Sequence, residues 1–177
     1  MLNEYYSSAN KSPSEITPLT MAVLAQQDEN GNPSTFVLEE ESEYIVNNSP
    51  SKIINNACIY FGASLKGKQE GTRNICGITH KAPISIDPFS GMYFFPTMSP
   101  SNPKCSWIAH SHIDKVNKAD NQCTEIHFKN GKKIIIDISF GSALNQIQRT
   151  AQFRYILDNR IKHLQKKQGD PDKEPLP

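Results

Sequence analysis

Cysteine and histidine are the residues of this sequence that could bind a metal ion. The four cysteines are widely spaced and form no Cys-x-x-Cys pair: Cys58, Cys76, Cys105 and Cys123. The closest pair of potential ligands is His110 and His112, with one residue between them. Structural zinc sites usually take closely spaced pairs of Cys or His from two parts of the chain. The sequence therefore predicts no metal site.

Cys105 could also act as a nucleophile with His110 or His80 as its base. Such a pair needs a third residue that orients the base and donors that stabilise an oxyanion, and no motif of this kind surrounds Cys105. The residues around Cys105 are typical of a packed strand, which favours a structural thiol. A Walker phosphate loop and a Gly-x-Gly-x-x-Gly fingerprint are missing as well. We therefore expect neither enzymatic activity nor a bound cofactor.

The basic side chains carry the clearest chemical signal. Residues 66–81 contain three Lys, one Arg and His80 but a single carboxylate, Glu70. A fixed cationic surface needs an anionic partner, and nucleic acid is the commonest polyanion that soluble proteins bind. The predicted DNA-binding residues lie in this stretch and in a proline-rich loop after it: Lys66, Lys68, Arg73, His80, Lys81 and Lys104. A solvated basic face without a partner is the alternative, and charge alone does not decide between the two.

The net charge of +1 conceals an uneven distribution along the chain. Residues 1–50 contain one Lys and eight carboxylates, a net charge of −7. Residues 51–168 contain 17 Lys and Arg against seven carboxylates, a net charge of +10, and the last nine residues add −2. This asymmetry indicates a basic working surface preceded by an acidic segment.

The sequence also predicts the compartment. No apolar run reaches the roughly 20 residues that a membrane span needs. The first 15 residues lack the apolar core of a secretory signal. Without a signal peptide the cysteines are expected to be reduced thiols. We therefore expect a cytoplasmic protein with no membrane partner.

Short runs of alternating apolar and polar residues predict antiparallel strands. The strongest hairpin signal is Asn130-Gly131 between two such runs. Three prolines mark 96–105 as a loop. The predicted strands cover residues 19–26, 34–39, 44–47, 83–87, 92–95, 106–116, 124–128 and 133–138.

A pair of helices is predicted in the middle of the chain. Apolar residues at helical spacing indicate an amphipathic helix at 50–61, with Pro50 in its first turn. A second, more basic helix follows at 64–76, although Gly67 and Gly71 weaken it. The same glycines argue against a helix-turn-helix, because they would lie inside its recognition helix.

A long C-terminal helix is predicted at 142–167. Leu144, Ile147 and Ala151 begin one apolar stripe, and a second stripe is rotated away from it. A helix with two apolar faces can pack on its own domain and also on a second subunit. We therefore assign dimerisation to the second stripe: Phe153, Leu157, Ile161 and Leu164.

Together these elements predict an α+β fold, with antiparallel strands, a central helix pair and a long C-terminal helix. Its expected extent is one DNA-binding domain over residues 18–167. Residues 1–17 are polar and are expected to be disordered. Residues 168–177 are expected to form a flexible tail.

Three ordered blocks of the sequence resemble the ComK family of competence transcription factors. They are CIYFGASLKGKQEGT at 58–72, ITHKAPISIDP at 78–88 and FFPTMSPSNPKCSWIAHSHI at 94–113. The Thr-His-Lys, Phe-Pro-Thr and Cys-x-Trp-Ile-x-His motifs stand in the same order and at similar spacing as in that family. A weaker match extends over residues 19–160, which is most of the predicted domain.

The resemblance implies a cytoplasmic transcriptional activator of DNA-uptake genes and of its own promoter. Such a protein binds paired A/T-rich boxes in double-stranded promoter DNA, largely through the minor groove. It acts as a homodimer that assembles further on DNA. The resemblance also implies control by a MecA-type adaptor that delivers the protein to a Clp protease.

The sequence departs from the family pattern at three places. Gln69 stands where the family has the second residue of a basic pair, so one expected phosphate contact is missing. Ala82 replaces the first of two prolines. The tail at 168–177 lacks the aromatic segment that the adaptor recognises, which weakens the expectation of proteolytic control by that route.

A protein–protein adaptor that does not bind DNA is the rival interpretation. Its working parts would be the acidic first 50 residues and the two-faced C-terminal helix. Reversing the charge of Lys66 and Lys68 distinguishes the two, because only a DNA-binding protein should lose its partner.

Overall fold

A computed structural model describes residues 16–168 of the chain. The strands are β1 (Thr20–Gln27), β2 (Pro33–Glu39), β3 (Glu43–Val46), β4 (Ile84–Asp87), β5 (Met92–Pro96), β6 (Trp107–Ala109), β7 (Ile113–Lys118), β8 (Thr124–Phe128) and β9 (Lys133–Ile136). The α-helices are α1 (Pro50–Tyr60), α2 (Leu65–Cys76) and α3 (Phe140–Gln168). Antiparallel strands around a helix pair, followed by a long last helix, confirm the predicted α+β fold.

The larger sheet has six strands in the order β3-β2-β1-β6-β5-β4, and every neighbouring pair is antiparallel. β6 lies between β1 and β5, where Trp107 pairs with Val23 on one side and with Pro96 on the other. This insertion joins the N-terminal strands and the central hairpin in one sheet. β7, β8 and β9 form a separate three-stranded sheet.

The six-stranded sheet separates two apolar cores. Consecutive residues of a strand point to opposite faces. Phe94 and Trp107 accordingly pack in the core beneath α1, whereas Phe95 and Ile108 pack in the core beneath the three-stranded sheet. The larger sheet is therefore the middle layer of three, and both of its faces are covered.

The hairpin of β8 and β9 forms as the sequence predicts. Gly131 has a φ of 87°, in the left-handed region that glycine adopts without strain. The backbone N–H of Phe128 donates to the carbonyl of Lys132, and Ile126 pairs with Ile134 across the two strands. The Asn-Gly signal thus fixes both the turn and the register.

The predicted strand 106–116 is wrong in its middle. β6 ends at Ala109, a 3-10 turn covers His110–His112, and β7 begins in the other sheet. The His112 imidazole donates to the carbonyl of Pro18 (2.7 Å) and also faces a carboxylate oxygen of Glu40 (3.3 Å). The alternation of residue types at 106–116 runs through this turn without a break, so the pattern alone cannot reveal a change of sheet.

α3 is 29 residues long, roughly 43 Å at about 1.5 Å per residue. The residues it buries follow one another at intervals of three and four: Ala143, Gln146, Thr150 and Phe153. Ile147 packs against the core beneath the three-stranded sheet, and the Phe153 ring meets Tyr93 edge to face with centroids 5.8 Å apart. The first half of the helix therefore uses both predicted stripes within its own fold, and Phe153 does not lie on a free face.

The folded part begins slightly earlier than the sequence predicts. Ile16 is buried in the core beneath α1, and the backbone N–H of Thr17 donates to the hydroxyl of Thr20 (3.0 Å). These two residues were expected in the disordered segment. The rest of that segment, residues 1–15, and the tail after Gln168 lie outside the described residues.

Candidate nucleic-acid interface

Local hydrogen bonds define both ends of the basic helix α2. At its start the hydroxyl of Ser64 accepts from the backbone N–H of Gly67 (3.0 Å), and the side-chain oxygen of Asn55 accepts from that of Leu65 (2.9 Å). At its end Gly77 adopts a φ of 71° and donates to the carbonyl of Arg73 (2.7 Å). The backbone donors at the start are thus largely used by caps, which leaves the side chains of α2 as the groups available to an anion.

Lys66 and Arg73 lie on the exposed side of α2. They are seven residues apart, about two turns or roughly 10 Å along the axis, with the exposed Glu70 between them. Within residues 16–168 no ion pair joins either cation to a carboxylate. The two predicted residues therefore share one accessible surface.

Lys68 is half-buried and points toward the sheet. Its ammonium donates to the backbone carbonyl of Ile86 (3.3 Å) in β4. The fully buried Thr72, one turn further on, donates its hydroxyl to the carbonyl of Pro83 (2.6 Å). Because residues four apart share a helix face, the packing that buries Thr72 also turns Lys68 inward. Lys68 thus holds α2 on the edge strand and lies off the surface that Lys66 and Arg73 share.

His80 and Lys81 are exposed on the segment that follows α2, and α3 holds this segment in place. The buried side-chain amide of Gln146 donates to the carbonyls of Lys81 (3.1 Å) and Pro96 (2.7 Å). The guanidinium of Arg149 donates to the carbonyl of His80, and burial lowers the pKa of that guanidinium. The two predicted residues are therefore presented by a backbone that α3 fixes.

Lys104 is exposed on the loop between β5 and β6. It lines a cleft of about 700 Å³ together with residues of the β1–β2 turn and of β9. Gln146 bridges the start of this loop to Lys81, so both lysines lie at the same end of the six-stranded sheet. No residue of α2 lines this cleft, so Lys104 is not grouped with the cations of α2.

Arg160 of α3 is a cation that the sequence reasoning missed. Burial raises the pKa of the Cys76 thiol at the end of α2, and the positive charge of Arg160 opposes that shift. Ile75 of α2 and Leu157 of α3 line the same cavity. Arg160, about one helical turn after Leu157, therefore lies near the end of α2, although 84 residues separate it from Cys76 in the sequence. The only signal in the sequence is that the last ten residues of α3 contain four Lys and Arg and no carboxylate.

These basic side chains define what we call the basic edge: Lys66, Arg73, His80, Lys81 and Arg160. α2 runs along the outer strand β4, with Lys68 bonded near the end of that strand and Thr72 bonded just before its start. The edge consequently extends from the β4–β5 turn to the opposite end of the sheet. It offers an elongated cationic surface of the kind that a phosphate backbone requires.

The cysteine and histidine side chains form no reactive pair. Cys105 is fully buried and its thiol donates to the carbonyl of Met98 (3.4 Å). Burial raises the pKa of both the Cys105 and the Cys58 thiols, the latter to about 11, and lowers the pKa of His110. Both thiols are therefore protonated at neutral pH. Among residues 16–168 no group of three His, Cys, Asp or Glu side chains could hold a metal ion.

The exposure of the predicted dimerisation residues increases along α3. Phe153 is buried at 3% exposure, Leu157 and Ile161 are half-buried, and Leu164 is 62% exposed. Only the last three offer apolar surface to a second molecule. No helix in the described part of the chain is long and apolar enough to span a membrane.

The fold and the basic edge define an α+β protein with a surface suited to a polyanion. The chain belongs to the ComK family, whose family model, described as "ComK protein", matches residues 11–162. It is also similar to the "Competence transcription factor" of Bacillus subtilis (strain 168), with 36% identity over 149 residues that cover 84% of this chain and 77% of that protein. No solved structure matches the chain. The resemblance inferred from the three sequence blocks is thus confirmed.

Proposed function

We propose that this chain is a transcriptional activator of competence genes that binds paired A/T-rich boxes in promoter DNA. The observation that carries the proposal is the basic edge, in a chain whose relative is named a competence transcription factor. The cations of the edge contact phosphates, which fixes the position of the protein on the duplex. No step of this function requires a catalytic group or a cofactor.

Minor-groove readout fits the shape of the edge. A/T-rich tracts have a narrow minor groove with an enhanced negative potential that attracts Lys and Arg. Lys66 and Arg73 project from a helix that is too broad to enter this groove, whereas His80 and Lys81 lie on a slender segment. We infer that this segment enters the groove while the helical cations contact the flanking phosphates.

Paired boxes call for two DNA-binding units. Leu157, Ile161 and Leu164 continue the line of Phe153 past the edge of its own fold. A second copy of the chain that packs on this line in a two-fold arrangement covers the exposed Leu164. We infer that this contact forms the homodimer, which sets the spacing of the two boxes.

A titration of labelled duplexes tests the proposal. The protein is added to a fluorescent duplex with two A/T boxes and to the same duplex with G·C pairs in the boxes, at several salt concentrations. We expect at least about ten-fold tighter binding to the A/T duplex, and an affinity that falls with salt by a log–log slope of about 0.9 for each phosphate contact. Equal affinities, or binding that salt does not weaken, would contradict the proposal.

A protein–protein adaptor is the second candidate, and one surface favours it. Ile59, Tyr60 and Phe61 are exposed side by side at the corner between α1 and α2. Contiguous apolar side chains on a surface mark an interaction site more often than scattered ones do. An adaptor keeps its protein partner when Lys66 is changed to Glu, and it shows no preference between the two duplexes.

Control by a MecA-type adaptor and a Clp protease stays a prediction. It rests on the family resemblance alone, because the tail at 168–177 contains no aromatic residue. Apart from Gln168, that tail lies outside the described residues.

A further inference from the structure

Phe89 is the most exposed large apolar side chain among residues 16–168, at 78% exposure. It stands at the tip of the turn between β4 and β5. A single exposed apolar side chain is common on a protein surface. Phe89 differs because its backbone is fixed and because it stands beside the basic edge.

The turn that carries Phe89 is held by its own side chains. The carboxylate of Asp87 accepts from the backbone N–H of Phe89 (3.2 Å) and from the hydroxyl of Ser90. The N–H of Gly91 donates to the carbonyl of Pro88 (3.3 Å), and Gly91 adopts a φ of 71° that closes the turn. An aromatic ring on such a tip loses little conformational freedom when it binds.

Two further elements anchor the base of the turn. The hydroxyl of Ser111 donates to the carbonyl of Gly91 (2.6 Å) and accepts from the guanidinium of Arg154 (2.8 Å). Arg154 also lies over the ring of Tyr93 at 5.0 Å, and the Tyr93 hydroxyl donates to Asp158 (2.6 Å). α3 and the 3-10 turn therefore hold the base of the β4–β5 turn in a fixed position against the core.

The tip of the turn lies at the Lys66 end of the basic edge. Pro88 lines a cavity of about 220 Å³ between α2 and α3, and Gly67 and Lys68 line the same cavity. Phe89 follows Pro88 directly, and Lys66 precedes Gly67 directly. The turn that carries Phe89 thus lies near the start of α2, where Lys66 is exposed.

We propose that Phe89 is a wedge that inserts between two base pairs and bends the DNA. The inference rests on the proposed function and deepens it by assigning one residue to DNA deformation. Proteins that bind the minor groove often open a base step with an apolar side chain, which kinks the duplex toward the major groove. Pyrimidine–purine steps, TA above all, open most easily and are frequent in A/T-rich boxes.

Affinity and end-to-end energy transfer are measured together on one duplex that carries dyes at both ends and two A/T boxes. The variants are Phe89→Ala, Phe89→Leu and the control Ile135→Ala, whose side chain is 64% exposed on the other sheet. Because each base stacked on an aromatic ring contributes measurably to affinity, we expect Phe89→Ala to bind about ten-fold more weakly and to lose most of the increase in energy transfer. Phe89→Leu should retain part of both, and Ile135→Ala should match the wild type.

A tryptophan at the same place supplies an independent readout. The single native tryptophan, Trp107, is fully buried, so its emission forms a constant background. Phe89→Trp should be quenched when the duplex is added, because the indole stacks on bases. The matched variant Ile135→Trp should not respond.

The outcomes separate the wedge from the proposed function. If the wild type fails to bind the duplex, the result contradicts both the proposed function and the wedge. If the wild type binds and Phe89→Ala binds and bends equally well, only the wedge is overturned. A Phe89→Ala complex that is weaker but gives unchanged energy transfer also overturns the wedge. So does a Phe89→Ala variant that binds and bends DNA normally but sediments differently without DNA, since Phe89 would then act in self-association.

Discussion

The basic edge and the tip of the β8–β9 hairpin are both rich in lysine, but their surroundings differ. The hairpin contains Lys129, Lys132 and Lys133 on a narrow ribbon of a kind that some proteins place in a DNA groove. Its tip, however, packs on the β2–β3 turn, where Asn130 donates to the carbonyl of Glu40 (3.1 Å). Lys132 donates to the carbonyl of Glu39 (3.3 Å) at the end of β2. The hairpin therefore faces an acidic segment of its own chain.

This difference shows that the electrostatic potential of a surface depends on the charged residues that pack beside it. Glu39, Glu40, Glu41 and Glu43 lie in or next to the turn beneath the hairpin, whereas the basic edge has Glu70 as the one carboxylate within α2. A polyanion that approaches the hairpin meets repulsion as well as attraction. We therefore expect the basic edge to be the better phosphate site, although the hairpin contains more lysines.

Charge reversal gives the largest expected effect and tests the comparison directly. Changing Lys66 and Arg73 together to Glu should weaken binding to the A/T duplex by roughly 100-fold at low salt and reduce the salt slope by about two, since two phosphate contacts are lost. Changing Lys129 and Lys133 to Glu should alter affinity by no more than about three-fold. Fluorescence anisotropy at a series of salt concentrations measures both quantities.

The two double variants are matched in charge change and in exposure, because all four side chains are exposed. Circular dichroism and thermal melting establish that both fold. Equal losses of affinity in the two variants would mean that the positive charge of residues 51–168 attracts DNA as a whole, without a defined site. A larger loss in the hairpin variant would move the interface to the three-stranded sheet.

Removing the amide of Gln146 should have an intermediate effect on the same edge. Gln146→Ala leaves the buried carbonyl of Pro96 without its donor and releases Lys81. An unsatisfied buried polar group costs about 2 kcal/mol in the free energy of unfolding, which urea titration measures. DNA affinity should also fall by about three-fold, because His80 and Lys81 are no longer fixed.

Gln148→Ala is the control, since Gln148 is exposed on the same helix. It should change neither stability nor affinity. If Gln146→Ala lowers stability and leaves DNA binding intact, the segment at 77–82 does not contribute to the interface. His80 and Lys81 would then have to be removed from the basic edge.

Local sequence patterns were sufficient to predict most helices and strands, but they were insufficient to predict which residues form the candidate site. Asn130-Gly131 determines its hairpin through backbone preferences alone, and the amphipathic helix begins at Pro50 as its sequence indicates. The insertion of β6 between β1 and β5 depends on pairing between distant strands, which alternation cannot show. The prediction therefore had the right kinds of element but treated 106–116 as one strand, where the structure has two strands in different sheets.

The site residues show the same limit. Lys68 was predicted as a DNA contact, yet the packing of Thr72 against Pro83 sets the rotation of α2 and turns Lys68 inward. Arg160 was missed because α3 brings it to the end of α2 from a distant part of the chain. Both outcomes depend on tertiary contacts. The three blocks that resemble the ComK family carried the functional inference, because their order and spacing identify the family without knowledge of these contacts.

An effect on affinity alone, without a loss of stability, is expected at Gln69, the position where the family's basic pair is incomplete. Gln69 is half-buried on α2 and lies between the inward face of Lys68 and the outward face of Lys66 and Arg73. Gln69→Lys should tighten binding to the A/T duplex by about three-fold and steepen the salt slope by about one, since one phosphate contact is gained. The matched change Gln122→Lys, on an exposed turn next to the three-stranded sheet, should leave both unchanged. If Gln69→Lys has no effect while the reversal of Lys66 and Arg73 abolishes binding, the DNA contacts only the outer side of α2, and the narrower interface would exclude both Gln69 and Lys68.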